Sequence, residues 1–186
     1  MGATDGEPLW IPSPERVAHT AVAALVKTVN ARHGTVLAGY RDLHSWSIEH
    51  PGAFWQEVWE LGEVIGERSG PPLVDGNRMP GATFFPQARL NYAENLLRPR
   101  DPASIALIFR GEDKVERQVS FGELTGLVSR LQQALRAAGV SVGDRVAATM
   151  PNMPETIAVM LAATSLGAIF SSCSPDFGER GILDRF

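Results

Sequence analysis

Apolar positions in the first third of the chain follow helical spacing. Val17, Ala21, Ala24, Leu25 and Val29 fall on one face, and His33-Gly34 ends that pattern. Leu43 to His50 and Pro51 to Leu61 read as two short helices parted at the His50-Pro51 step, since the residue before a proline avoids helical backbone. In the second of them Phe54, Trp55, Val58 and Trp59 line one face. Gly66 to Pro86 holds Pro71-Pro72, Asp75-Gly76 and Pro80-Gly81, which predicts loop, and a short helix follows around Leu90 to Leu97.

The second half is more regular. Ile105 to Arg110 and Val115 to Ser120 alternate as strands, joined by Gly111 to Lys114 in a predicted hairpin. Ser120 and Glu123 form a capping-box pair, and the helix they open carries Phe121, Leu124, Leu127, Val128, Leu131, Ala134, Leu135 and Ala138 on one stripe, stopped by Gly139. A strand over Arg145 to Met150, an almost wholly apolar helix from Pro154 to about Gly167, and a strand over Ala168 to Cys173 come next. Strand, helix, strand, helix, strand predicts an α/β fold with a doubly wound, mostly parallel sheet behind a helical N-terminal extension. Phe177 to Phe186 begins another helical pattern. The expected boundary puts the extension at 1–98 and the start of the sheet domain at 99–186. With so few strands, the sheet is expected to be incomplete and to need further chain over its open edge.

Composition narrows the function classes. The 186 residues are 44% hydrophobic and 20% charged with a net charge of −4, an ordinary globular balance. Lys27 and Lys114 are the only lysines, and the arginines are scattered rather than clustered, which argues against a nucleic-acid partner. Met1 to Pro14 lacks the basic start and apolar run of a secretory signal. Thr156 to Pro175 is free of charge over about the length of a bilayer span, but its serines, Gly167 and the closing Pro175 favour a buried helix plus strand. No membrane partner and a cytoplasmic location are expected, and the lone Cys173 suits a reducing compartment.

Candidate chemistry is sparse. There is no G-x-x-x-x-G-K-[ST], G-x-G-x-x-G or G-x-S-x-G pattern. Asp176-Phe177-Gly178 matches a kinase triplet without the catalytic loop or strand lysine that would give it meaning. His19, His33, His44 and His50 lack the spacing of a metal site and read as solvated or capping residues; Trp46, Phe54, Trp55 and Trp59 read as packing residues, and Cys173 as a buried, inert thiol. No catalytic residue and no metal ligand is assigned. The best physical claim to function belongs to Ser171 to Asp176, at the carboxyl end of a strand in a predicted parallel sheet, where ligands bind. Capping of the next helix by Ser174 or Asp176 is the alternative use of the same residues.

Several stretches carry a resemblance. Ser120-Phe121-Gly122-Glu123-Leu124, Gly139-Val140, Gly143-Asp144-Arg145-Val146, Met150-Pro151-Asn152-x-Pro154-Glu155 and Gly167-Ala168-Ile169 resemble the start of the AMP-binding domain of the adenylate-forming acyl-CoA synthetases. Ala88 to Leu97 is similar to the segment joining the N-terminal extension to the main domain in the short-chain members. Tyr40 to Ser47 with Phe54-Trp55, and Ser171 to Gly178 leading into Leu183 to Phe186, resemble the acetoacetate-activating branch rather than the acetate-activating one.

The resemblance implies an AMP-forming acid–CoA ligase that uses ATP, Mg²⁺ and CoA. Acetoacetate would form an acyl-adenylate with release of pyrophosphate, and the CoA thiol would then displace AMP. It also implies that the nucleotide loop and catalytic lysine lie beyond Phe186, so this chain reads as an inactive N-terminal portion that binds none of the cofactors tightly. Ser174, Pro175 and Asp176 occupy the place of a family loop near CoA, with Pro175-Asp176 where acetate-activating members carry a glycine pair. An acetate– or propionate–CoA ligase, and a non-catalytic module derived from such an enzyme, stand as alternatives.

Overall fold

The computed structural model describes residues 8, 10–112 and 114–186. Most of the stretch Met1 to Pro14, and Asp113 of the predicted hairpin turn, lie outside the described residues. The chain divides into two compact units, 1–88 and 89–186.

The first unit is mainly helical. The predicted first helix is two: α1 (Pro14–Ala18) and α2 (Ala21–His33). Thr20 separates them because its hydroxyl accepts from the Ala23 amide at 3.2 Å and donates to the Val17 carbonyl at 2.8 Å, capping α2 in competition with continuation of α1. Gly34 then ends α2 at φ 65°, as the His33-Gly34 pair predicts. Helices α3 (Tyr40–Glu49) and α4 (Pro51–Leu61) break at His50-Pro51.

Leu25, Val26, Val29, Leu43 and Trp46 form the core of this unit, with Leu37, Ala53 and Phe54 packed around it. The expected loop 66–86 contains two short antiparallel strands, β1 (Leu73–Val74) and β2 (Thr83–Phe84). Two-residue strands leave too little alternation to be read from sequence. The aromatics pack as expected: Trp55 meets Phe84 edge-on at 5.2 Å and Trp59 lies 4.8 Å from Phe85.

The second unit opens with α5 (Tyr92–Leu96), a segment expected in the extension, whose contacts are with α7 of this unit. Asn91 explains the attachment. Its side-chain oxygen caps α5 through the Glu94 amide at 3.1 Å, while its Nδ2 donates to the last carbonyls of α7, Ser165 at 3.1 Å and Thr164 at 3.4 Å. Strands β3 (Ile105–Arg110) and β4 (Glu116–Ser120) form the predicted antiparallel hairpin. Both halves of the capping box are made: the Glu123 amide donates to Ser120 Oγ at 3.2 Å, and the Ser120 amide to Glu123 Oε2 at 2.8 Å. These Ser120 hydrogen bonds hold the Glu123 carboxyl below the usual range.

From that cap, α6 runs over Phe121–Ala137, followed by β5 (Arg145–Thr149), α7 (Pro154–Ser165) and β6 (Ile169–Cys173). Strands β5 and β6 are parallel in the register Arg145↔Ile169 to Thr149↔Cys173. Among the described residues β4 pairs with β3 alone, so the strands form an antiparallel hairpin and a separate parallel pair rather than one sheet. Leu124 and Val128 of α6 meet Ala158, Leu161 and Ala162 of α7 in the core of the unit. The charge-free stretch 156–175 divides between α7 and β6, and no helix among the described residues is long and apolar enough to cross a membrane.

Candidate functional site

The register of β5 and β6 brings their carboxyl ends, Thr149 and Cys173, side by side. The Met150 amide donates to the Cys173 carbonyl at 3.1 Å, which ties the start of the loop after β5 to the end of β6. Thr149 Oγ1 lies 3.8 Å from Cys173 Sγ, and Cys173 is buried, in keeping with an inert packing thiol. Pro151 to Met153 then lead into α7, where Thr156 Oγ1 donates to the Pro151 carbonyl at 2.6 Å.

The predicted segment Ser174, Pro175 and Asp176 follows β6 directly and forms a tight turn. Pro175–Phe177 is one turn of 3₁₀ helix, with α8 (Gly178–Arg185) after it. The Ser174 hydroxyl accepts from the Asp176 amide at 3.3 Å and donates to Asp176 Oδ2 at 2.9 Å, while the Phe177 amide donates to the Ser174 carbonyl at 3.2 Å. The capping use expected of Ser174 is therefore present. Gly178 has φ 66° and ψ 173°, a backbone region restricted to glycine. Nothing lies within 4 Å of a Cβ built there, so the backbone angle rather than lack of space requires glycine. Arg185 lies over the Phe177 ring at 5.2 Å, which folds α8 back on the turn. Ser174 is half-buried; Pro175 and Asp176 are exposed.

Of the other concave surfaces of this unit, two border α7. A cavity of about 390 Å³ lies between α5, α6 and α7, lined in part by Asn91, Glu94, Ser129, Gln132 and Ser165. Another of about 340 Å³ lies where β3 meets the start of α7, and Asn152, Met153 and Pro154 line it. Neither is lined by Ser174, Pro175 or Asp176. Near the second, Arg117 Nη2 donates to Glu155 Oε1 at 2.7 Å, and this bond holds the Glu155 carboxyl below its usual range.

Sequence reasoning missed one polar cluster in the first unit. Glu57, expected on no functional list, is a buried carboxylate that accepts from Arg32 Nη1 at 2.9 Å and pairs with His33 Nε2 at 3.0 Å. His33 and His50 flank Trp46 at 5.0 and 5.6 Å, and both stay exposed to solvent as expected, with His50 at the junction of α3 and α4. The available signal was the placement of Glu57 between Phe54 and Leu61 on an apolar helix face.

The chemistry open to these residues is limited. No three His, Cys, Asp or Glu side chains among the described residues converge as a metal site. The described turns include no glycine-rich cradle backed by a lysine. What the geometry offers is a parallel pair with two short, cross-tied loops at its carboxyl ends, the end of a parallel sheet at which α/β domains bind ligands.

Comparison with known proteins matches that description. Residues 98–185 match the family of AMP-binding enzymes, and residues 40–96 match the acetyl-coenzyme A synthetase N-terminus. The part of the chain over 98–185 is thus similar to the AMP-binding enzymes. The chain is similar to acetoacetyl-coenzyme A synthetase of Rhizobium meliloti, 59% identical over 179 residues, covering 96% of this chain and 27% of that protein. The acetoacetyl-CoA synthetase of Gallus gallus is 40% identical over 185 residues, 98% of this chain and 27% of that one. The solved acetoacetyl-CoA synthetase from Streptomyces lividans superposes with a TM-score of 0.89 at 38% identity, over 97% of this chain and 28% of its own. The chain thus spans about a quarter of the length of the relatives it matches.

Proposed function

We propose that these residues serve as the N-terminal part of a cytoplasmic, AMP-forming acetoacetate–CoA ligase: a helical extension over 1–98 and the first strands and helices of the adenylation domain over 99–186. The observation that carries this reading is the continuous likeness to acetoacetyl-CoA synthetases along almost the whole chain, from the helical extension through β6 and α8.

ATP, Mg²⁺ and CoA are the cofactors such a ligase uses. The described residues do not fit ATP or Mg²⁺: they bring together no carboxylate or histidine cluster, and no cationic phosphate loop. The turn Ser174-Pro175-Asp176 does fit part of CoA. It is exposed, it sits at the carboxyl ends of parallel strands, and its one carboxylate suits the uncharged pantetheine arm rather than the phosphates. CoA brings the thiol that receives the acyl group. This chain's own part is to hold one wall of that path and to present the β5–β6 edge on which the rest of the adenylation domain packs.

The test is a chimera in which residues 1–186 replace the matching segment of the Rhizobium meliloti synthetase. The chimera is expected to release AMP only when acetoacetate, ATP and CoA are all present. The 186 residues alone are expected to release none. A chimera that folds but favours acetate or propionate over acetoacetate contradicts the substrate assignment.

A further inference from the structure

Three of the site residues expected from sequence lie in one turn, and their hydrogen bonds separate their roles. Asp176 is exposed, yet its Oδ2 is taken by the Ser174 hydroxyl at 2.9 Å, and the same hydroxyl accepts the Asp176 amide at 3.3 Å. This closed ring sets the direction of the chain as it leaves β6. Its base is anchored by the bond from the Met150 amide to the Cys173 carbonyl. Its far side is pinned by Phe177, with Arg185 over the ring and Gly181 so near that a Cβ there would lie 3.1 Å from the Phe177 Cβ. The Asp176 carboxylate keeps its charge when Ser174 donates to it, and the hydrogen bond fixes its direction within the turn.

We propose that Asp176 is a positioning residue, which acts through the Ser174 hydroxyl to hold the turn after β6 in shape and does not itself touch the ligand. This rests on the reading of the turn as a wall of the CoA path. The consequence is energetic coupling: removing the Ser174 hydroxyl breaks both bonds and removing the Asp176 carboxylate breaks one of the same two, so the double variant behaves as the Ser174 variant alone.

The experiment is a double-mutant cycle in the chimera, with Ser174→Ala, Asp176→Ala and the pair, reading KM and kcat for each substrate. Asp176 is exposed and Ser174 half-buried, and thermal melts verify that the variants retain the fold. Each single change is expected to raise the KM for CoA about fivefold with kcat changed less than about twofold. The pair is expected to show the same factor of about five. Ser174→Thr, which keeps the hydroxyl, restores the wild-type value. Ser141→Ala serves as the control, because it breaks a similar serine–aspartate bond, to Asp144 at 2.8 Å, at the opposite end of β5, and it leaves the KM for CoA unchanged. In the 186-residue chain, both single changes speed hydrogen exchange at the Phe177 amide.

Multiplying effects, with the pair near about 25-fold, would show that Asp176 makes a contact of its own and would overturn the proposal. Unchanged KM values in both single variants would overturn it as well. Coupled effects that fall on the KM for ATP or acetoacetate would leave Asp176 a positioning residue and refute the CoA reading of the turn.

Discussion

Asn91 joins α5 to α7 with a single side chain, and replacing it separates two roles that the sequence cannot distinguish. Asn91→Ala removes the cap of α5, worth about 1 kcal/mol. It also removes the donor to the Ser165 carbonyl at 3.1 Å, worth about another 1 kcal/mol, while the longer bond to Thr164 at 3.4 Å adds little. The expected loss is about 2 kcal/mol. Asn91→Asp is the sharper probe. It keeps the acceptor that caps α5, and its charge suits the N-terminus of that helix. The same charge then faces the last carbonyls of α7, the negative end of that helix dipole, with no donor to offer them. Its expected loss is about 1–2 kcal/mol, despite the intact cap. Urea unfolding of the chain followed by far-UV circular dichroism measures both variants. An aspartate variant within about 0.5 kcal/mol of wild type, beside an alanine variant that loses the full amount, would refute the bridging role and leave Asn91 as a cap only.

Two further perturbations test other joints of the fold. All four tryptophans, Trp10, Trp46, Trp55 and Trp59, lie in the first unit, so tryptophan fluorescence follows that unit alone. Glu57→Gln keeps the shape but turns an amide donor toward Arg32 or His33, and is expected to cost about 2 kcal/mol, discounted for the half-exposed Arg32; an unshifted fluorescence transition in urea would contradict it. Arg117→Ala removes the bond that depresses the Glu155 carboxyl. A depressed carboxylate adds stability above its ordinary titration range and loses it as pH falls through the lowered folded value. Wild type and Arg117→Ala are therefore expected to differ by about 0.5–1 kcal/mol at pH 7 and to converge once the pH falls below the lowered Glu155 value, and a gap that persists in acid would show that packing rather than charge is lost.

The regular second half was readable because each signal there is local. The Ser120–Glu123 box, the Gly139 stop and the 3.6-residue stripe from Leu124 to Leu135 depend on residues a few positions apart, and the structure makes those contacts. The split at Thr20 was hidden because the apolar spacing runs through it, while a hydroxyl bond to the preceding turn ends the helix. Glu57 and Asn91 were hidden for another reason: their partners lie 24 to 25 and 73 to 74 residues away, and a lone polar residue on an apolar stretch gives no sign of which distant donor it will meet. That the hairpin and the parallel pair form separate sheets was hidden, because alternation along a strand predicts the strand and not its neighbour. At the candidate site the sequence placed Ser174 to Asp176 at the end of a strand. That the Asp176 carboxylate accepts from the Ser174 hydroxyl depends on how the turn closes, which the order of residues does not specify.

Nucleotide release by the chimera tests the central claim most directly. Residues 1–186, grafted in place of the matching quarter of the Rhizobium meliloti synthetase, should support AMP formation that requires acetoacetate, ATP and CoA together, while the 186 residues alone should form none. A folded chimera without that activity, or AMP formation by the isolated chain, would contradict the account.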